Sequence, residues 1–432
     1  MIDRSPSVTG ITVDVDEVVR LAQDLIAIES HSGAPGREAA IGHFLVDWFH
    51  TRGIEAELAP AVGDRANVIA WHGHPSLDTR AAGRTLLLNG HIDTVPAGAM
   101  KEAFTPRIED GVLWGRGACD MKAAVAAMCG VLAAVARSAS AAELRHGTAA
   151  SRSAGFQLGP GGPSADGLGR SCAPLLGSLV FVGTVDEETG SLGVKRLVES
   201  GLKADYAVVG EPTSLRAAIA HKGACFIRIV LAGRGAHGSC PEKGVSAVSY
   251  GARIVTALED ELRPRLAKRT HSLLGASTVS VGRISGGTEP NIVAERCEID
   301  VDRRTLPGES DTVGEVQDVV AAICDGVEGL SHEVYETERT STVPHVALGT
   351  APDSPLALAA ARACRSAGLP ADPVGVTYWT DGAHLAAGGI ETLILGPGDI
   401  ADAHGPNDHV VVADLVKAGE VYLRIALQLL RE

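Results

Sequence analysis

The sequence predicts an α/β protein in which a mixed, mainly parallel sheet is interrupted by a ferredoxin-like module. Three observations carry the prediction. Thr85–Leu88, Ser178–Val185, Asp205–Val209 and Glu391–Leu395 are short apolar runs without helical period, which read as strands buried on both faces. Stretches with helical period lie between them. From Leu215 to about Val343 the order changes to β-α-β-β-α-β, that of a ferredoxin-like module. At 432 residues the chain can bury two cores. The expected division is 1–215 with 344–432 as one domain and 216–343 as the other.

The elements follow in order. Val18, Leu21, Leu25 and Ile28 recur at helical spacing, with Asp14 or Asp16 as N-cap. A second helix is expected from Arg37 to about His50, with Ile41, Leu45 and Trp48 on one face and Gly53 as its stop. Strands are expected near Glu55–Leu58 and Asn67–Trp71, then at Thr85. Val112–Trp114 leads into Gly115-Arg116-Gly117-Ala118-Cys119-Asp120, and a helix from Met121 to Ala136 puts Asp120 at its N-terminus. This GxG lacks the third glycine and the distant acid of a dinucleotide site. Residues 138–177 are rich in Gly, Ser, Ala and Pro and read as a flexible surface insertion. A helix over Ser191–Ser200 follows the Ser178 strand. In the module, Ala218–Val230 reads as a strand and Gly244 to about Ala267 as a helix. Strands at Thr278–Ile284 and Val293–Asp302, a helix at Asp311–Cys324 and a strand at Ser331–Tyr335 complete it. A helix from Val412 to Leu430 closes the chain.

Net charge is −15, from 53 acids against 38 bases, which argues against nucleic acid as a partner. MIDRSPSV lacks the apolar core of a signal peptide. The Ala-rich run Ala123–Ala136 is too short to span a bilayer, so no membrane role is expected. The eight cysteines show no CxxC spacing and read as reduced thiols of a cytoplasmic protein.

Acids and histidines recur where buried strands end. Thr85–Leu88 runs into His91 and Asp93, and the Ser178 strand into Asp186-Glu187-Glu188. Asp205–Val209 is followed by Glu211, and Glu391–Leu395 by His404. In open α/β sheets the site lies outside the carboxyl ends of the strands. A pair of divalent metals needs a bridging carboxylate, further oxygen ligands and imidazoles. His91, Asp120, Glu188, Glu211 and His404 supply that set. Adjacent acids cannot easily share a metal, so of Glu187 and Glu188 one can ligate while the other holds a water as general base.

The motifs LLLNGHIDTVP, GRGACDMKAA, VDEETGS, VGEPTS, GRGAHGSCPEKG, DRRTLPGE and TLILGPGDIADAH resemble those of a dizinc metallopeptidase and amidohydrolase family. Its members include acetylornithine deacetylase, succinyl-diaminopimelate desuccinylase, aminoacylase and the glutamate carboxypeptidases. The resemblance spans Leu86 to His404. It implies a zinc-hydrolase catalytic domain and a dimerisation or lid domain, hence a homodimer, with two divalent ions. Zinc is the expected metal, with cobalt or manganese as alternatives. His91, Asp120 and Glu211 would hold one ion, and Asp120, Glu188 and His404 the other. Asp93 would orient His91, and Glu187 would be the base. A cis peptide is implied after Asp120.

By its residues alone His237 is a histidine in a glycine-rich turn, and Arg304 shares a strand face with Asp302 as in a surface ion pair. The resemblance makes His237 an oxyanion donor from the partner subunit. It makes Arg304 the partner of a substrate carboxylate, with Asn291, Asp381 and Gly382 lining the same pocket. The implied activity is hydrolysis of a small N-acyl-L-amino acid, N-acetylornithine first. The alternative is a dipeptidase or carboxypeptidase acting on short peptides with the same chemistry. A binding protein that had lost catalysis would be expected to lack a ligand or the base, and none is missing from the sequence.

Overall fold

The computed structural model describes residues 7–8, 10–73, 83–150, 175, 177–338 and 344–431. The chain divides into two compact units, 1–218 with 350–373 and 385–432, and 219–349 with 374–384. The segment 374–384, expected in the resumed first domain, groups with the second unit, and with it Asp381 and Gly382. Its strand Val374–Val376 runs beside Ala218–His221, where the Lys222 N–H donates to the Val376 carbonyl (3.3 Å).

In the first unit β1 (Glu55–Val62), β2 (Arg65–His72), β3 (Thr85–His91), β4 (Ser178–Thr184), β5 (Tyr206–Val209) and the late strand Glu391–Ile394 form one sheet. The late strand, β5, β3 and β4 are mutually parallel neighbours; β2 and β1 add antiparallel at the far edge. Every residue of β3 and β4 is buried, as the unbroken apolar runs require. Helix α1 (Val15–Ala27) begins at Asp14, whose carboxylate accepts the Glu17 N–H, and α2 (Ala39–His50) buries Ile41, Leu45, Trp48 and Phe49. Helix α3 (Ala123–Ala150) packs on α1, on β3 and β4, and on the closing helix Val412–Leu429. Its approach to α1 is close: a Cβ at Gly130 would stand 2.3 Å from a Val18 methyl.

Two expectations are corrected here. The helix runs on past Ala136 to Ala150, because Ala, Glu, Leu and Arg in 141–145 favour helix without needing an apolar face. The start of the 138–177 segment is therefore helical, and its residues 151–174 and 176 lie outside those described. Helical structure from Ala118 to Ser140 is also long and apolar enough to cross a membrane, contrary to the reading of a shorter run. Its apolar window is wholly buried inside the protein, where it serves as a core element.

In the second unit β6 (Gly223–Ala232) lies between β8 (Arg296–Thr305) and β9 (Ser331–Glu336), and β7 (Thr278–Gly286) pairs with β8 at the edge. The sheet is antiparallel, and β8 alternates buried with less buried residues along its length. Its inner face carries Ile227, Ile229, Leu231, Ile299 and Val301. These pack on Ile254 of the helix Ala247–Ala257 and on Val316 and Val320 of the helix Thr312–Cys324. This is the expected ferredoxin-like module. The single strand expected over Ala218–Val230 is two, Ala218–His221 and Gly223–Ala232, separated at Lys222.

Candidate metal centre

His91 is the last residue of β3, and its side chain is 1% exposed. Its Nδ1 lies 3.0 Å from the backbone carbonyl of Asp93. A carbonyl only accepts, so Nδ1 carries a hydrogen. The Nε2 lone pair then faces Asp120 Oδ1 at 2.9 Å and Glu211 Oε1 at 3.8 Å. Ionised carboxylates also only accept. A proton or a metal cation on Nε2 reconciles these groups.

Asp120 precedes α3 rather than capping it: Asp120 (φ −124°) and Met121 (φ −135°) have non-helical backbone, and the bond between them is cis, as the resemblance implied. The second oxygen of Asp120 faces His404 Nε2 at 3.2 Å, and Glu188 Oε1 lies 3.1 Å from the same nitrogen. One buried carboxylate thus presents an oxygen to each of two imidazoles. His91, Asp120 and Glu188 offer ligand atoms within 4.8 Å of one another.

The electrostatics follow from crowding acids out of water. Burial disfavours a charged His91, but its hydrogen bond to Asp120, the nearby Asp93 and the charge of Glu211 prevail and hold its pKa well above the usual value. Hydrogen bonds to Asp120 and Glu188 raise His404 to about 10. Burial would raise Asp120, yet the hydrogen bonds of His404 and His91 hold it below the carboxylate range. Glu188 is raised by burial, with the Asp120 charge adding to it against the His404 hydrogen bond. Three carboxylates and two imidazoles of this kind suit divalent cations, which replace the imidazole protons and neutralise the acids.

Asp93 acts in a way the sequence did not suggest. Its nearest carboxylate oxygen is 3.6 Å from His91 Nδ1, and its backbone carbonyl makes the closer contact. The carboxylate instead accepts the backbone N–H of Glu187 on Oδ1 (3.2 Å) and of Glu188 on Oδ2 (3.1 Å). It fixes the turn that carries the expected base and ligand. Asp186 braces that turn from the other side, accepting from Arg65 (2.5 Å), Thr189 Oγ1 (2.6 Å) and the Leu192 N–H (3.3 Å). Arg65 in turn pairs with buried Glu38.

The remaining expected residues lie in the second unit. His237 is exposed, and its Nδ1 accepts the Ser239 N–H (3.2 Å), which leaves Nε2 as the ring's donor. Asn291 is its neighbour across the turn, where the Asn291 carbonyl accepts the Gly238 N–H (2.7 Å). Arg304 Nε is 3.0 Å from Asp302 Oδ1, the ion pair that their shared strand face suggests. The adjacent Arg303 is fully buried on Ser277, the Thr278 carbonyl and Glu315. Asp381 is 1% exposed, and the Gly382 N–H donates to Thr380 Oγ1.

Sequence reasoning missed Arg116 and Asp408, a buried ion pair at 3.0 Å beside the centre. The available signals were an arginine between two glycines just before Asp120 and an acid four residues after His404.

Fold and site together define a metal-dependent hydrolase. Residues 87–144 match peptidase family M20/M25/M40, and residues 219–327 match a peptidase dimerisation domain. An acetylornithine deacetylase of Myxococcus xanthus is 30% identical over 416 residues, covering 93% of this chain and 94% of the relative. Among solved structures, aminopeptidase PepT of Bacillus cereus superposes with a TM-score of 0.73 at 22% identity, over 96% of this chain and 99% of the other. The Bacillus subtilis YxeP protein, described as a dinuclear metal-binding peptidase of family M20, gives 0.64 at 14% identity, over 96% and 98%. The chain belongs to the M20 peptidase family, whose members are metal-dependent hydrolases.

Proposed function

We propose that this enzyme hydrolyses the amide bond of a small N-acyl-L-amino acid, with N-acetylornithine first among substrates, at a centre of two divalent ions, zinc foremost. The observation that carries the two-ion centre is the Asp120 carboxylate shared between His91 and His404, beside a Glu187-Glu188 turn pinned by Asp93, and the acetylornithine deacetylase relative supports the choice of substrate. His91, Asp120 and Glu211 would hold one ion, and Asp120, Glu188 and His404 the other. Bound there, such ions polarise the scissile carbonyl and acidify a water.

The chain's own residues do the rest. Glu187 stands next to the expected ligand Glu188, on the turn that Asp93 holds. It takes the proton of the attacking water and returns it to the leaving amine. His237 donates Nε2–H to the oxyanion from the partner subunit of a homodimer. Arg304 exchanges Asp302 for the substrate α-carboxylate, a fork-shaped contact suited to guanidinium. Asn291, Asp381 and Gly382 are proposed as further substrate contacts. The dimerisation-domain match supports the homodimer, as does the exposed edge of β7, where Ile284 is 47% exposed. The seven cysteines among the described residues are unbridged, which fits a cytoplasmic enzyme.

A hydrolysis panel tests the reading: N-acetyl, N-succinyl and N-formyl amino acids beside dipeptides, with added zinc or cobalt. N-acyl amino acids should be preferred. A preference for dipeptides of tenfold or more, about 1.4 kcal/mol of discrimination, would overturn the deacylase assignment and favour the peptidase alternative.

A further inference from the structure

The buried pair of Arg116 and Asp408 joins three loops of the centre. Arg116 is 1% exposed and Asp408 fully buried. Asp408 Oδ2 accepts from Arg116 Nη1 (3.0 Å) and from the Gly117 N–H (2.8 Å), and Oδ1 accepts the Cys119 N–H (2.9 Å). The loop leading to Asp120 therefore hangs on this carboxylate. The guanidinium spends its other hydrogens on carbonyls. Nε donates to Pro96 (3.2 Å), and Nη2 to Ala97 (3.1 Å), Gly405 (3.1 Å) and, more weakly, His404 itself (3.4 Å). Pro96 and Ala97 continue the loop of His91 and Asp93.

His404 needs such an anchor. Its side chain is 48% exposed, against 1% for His91, so packing constrains its imidazole far less. Its backbone is left-handed (φ 61°), a conformation that costs a non-glycine residue energy and persists where neighbours impose it. Arg116, gripping the carbonyls of His404 and Gly405, supplies such contacts.

We propose that the buried Arg116–Asp408 pair is a positioning device that sets His404 opposite Asp120 and so governs occupancy of the second metal position. The inference rests on the two-metal reading above. It concerns placement alone, since neither side chain reaches the reacting atoms.

The test is calorimetric titration of the metal-free protein with zinc, with circular dichroism to establish folding. Wild type should take up two equivalents. Asp408→Asn turns one acceptor into a donor facing N–H groups and should weaken the weaker equivalent about 10- to 100-fold, the usual cost of losing an outer-shell partner. The tighter equivalent should weaken less, because its imidazole, His91, is buried and held by the Asp93 carbonyl. Asp408→Asn strips a buried charge pair and can unfold the chain, so Arg116→Lys is the second variant. It keeps the charge but not the fork that spans the carbonyls, and should show the same selective loss in a folded protein. Asp408→Glu, with charge and both oxygens retained, should recover part of the affinity. Two equivalents of unchanged affinity in folded Arg116→Lys would overturn the positioning role while leaving the two-metal reading intact. Equal weakening of both equivalents would overturn it as well. Wild type that takes up no metal would overturn both readings.

Discussion

Replacing Asp93 with asparagine separates the placement of the catalytic turn from its chemistry. The carboxylate holds two consecutive N–H groups, of Glu187 at 3.2 Å and Glu188 at 3.1 Å, and its side chain is 3% exposed. Hydrogen bonds to a charged acceptor contribute about 1.5–3 kcal/mol each, and neutral ones about 0.5–1.5. Asparagine keeps one oxygen and presents an NH2 where the other stood. One bond becomes neutral, and the other becomes a donor facing a donor. The loss is about 2–4 kcal/mol, spread over folding and the geometry of the turn. If about 2.7 kcal/mol of it falls on transition-state placement, kcat/KM drops about 100-fold. His91 keeps its contact with the Asp93 backbone carbonyl, so one metal equivalent should remain bound. The assays are steady-state kinetics on the best substrate of the panel and metal content after dialysis. A variant with kcat/KM within threefold of wild type would refute the clamp. A variant that lost both metals would show that Asp93 acts chiefly through His91.

Glu187→Ala should retain both metals and lose several orders of magnitude in kcat, because the base is removed and ligation is not; near-normal turnover would reverse the division of roles between Glu187 and Glu188. His221 gives a pH prediction. It is fully buried, and burial pushes its pKa down to about 4 from 6.5 despite a hydrogen bond to the Lys222 carbonyl. The unfolded chain therefore binds a proton in a range where the folded chain does not. The stability this contributes is complete above about pH 6.5 and is lost as pH falls towards 4, at about 1.4 kcal/mol per unit. At pH 5.5 the advantage over His221→Gln should be about 1.4 kcal/mol smaller than at pH 7.5, read from denaturant unfolding of the two proteins. A pH-independent difference between them would refute a neutral buried His221.

Much of this was legible because the relevant signals are local in sequence. Unbroken apolar runs such as Thr85–Leu88 and Ser178–Val185 admit few readings other than buried strands, and the residues that follow them must then gather at one end of a parallel sheet. Where the sequence misled, a local rule met a long-range constraint. Residues 137–150 have no apolar period, yet α3 continues through them, as a run with several good helix formers permits. Ala218–Val230 alternates like one strand, but its two halves pair with different partners, Leu348–Gly349 with the first and β8 and β9 with the second. Thr380–Gly382 sits between first-unit segments in sequence and packs with the second unit, which no periodicity encodes.

The centre shows the same limit at finer scale. Ligand types can be guessed from strand ends, because a metal demands imidazole and carboxylate at converging positions. What holds those ligands still cannot, because the partners are backbone groups. Asp93 holds the amides of Glu187 and Glu188; Asp408 holds those of Gly117 and Cys119; Arg116 holds carbonyls near positions 96 and 404. Amides and carbonyls occur at nearly every residue, so a contact to one leaves no trace in residue type. The acid or arginine at the other end does leave a trace: it is a charge within four residues of a predicted ligand. On that argument, buried charged residues flanking a predicted ligand are to be read first as supports of the loops beside it, and only then as ligands or bases themselves.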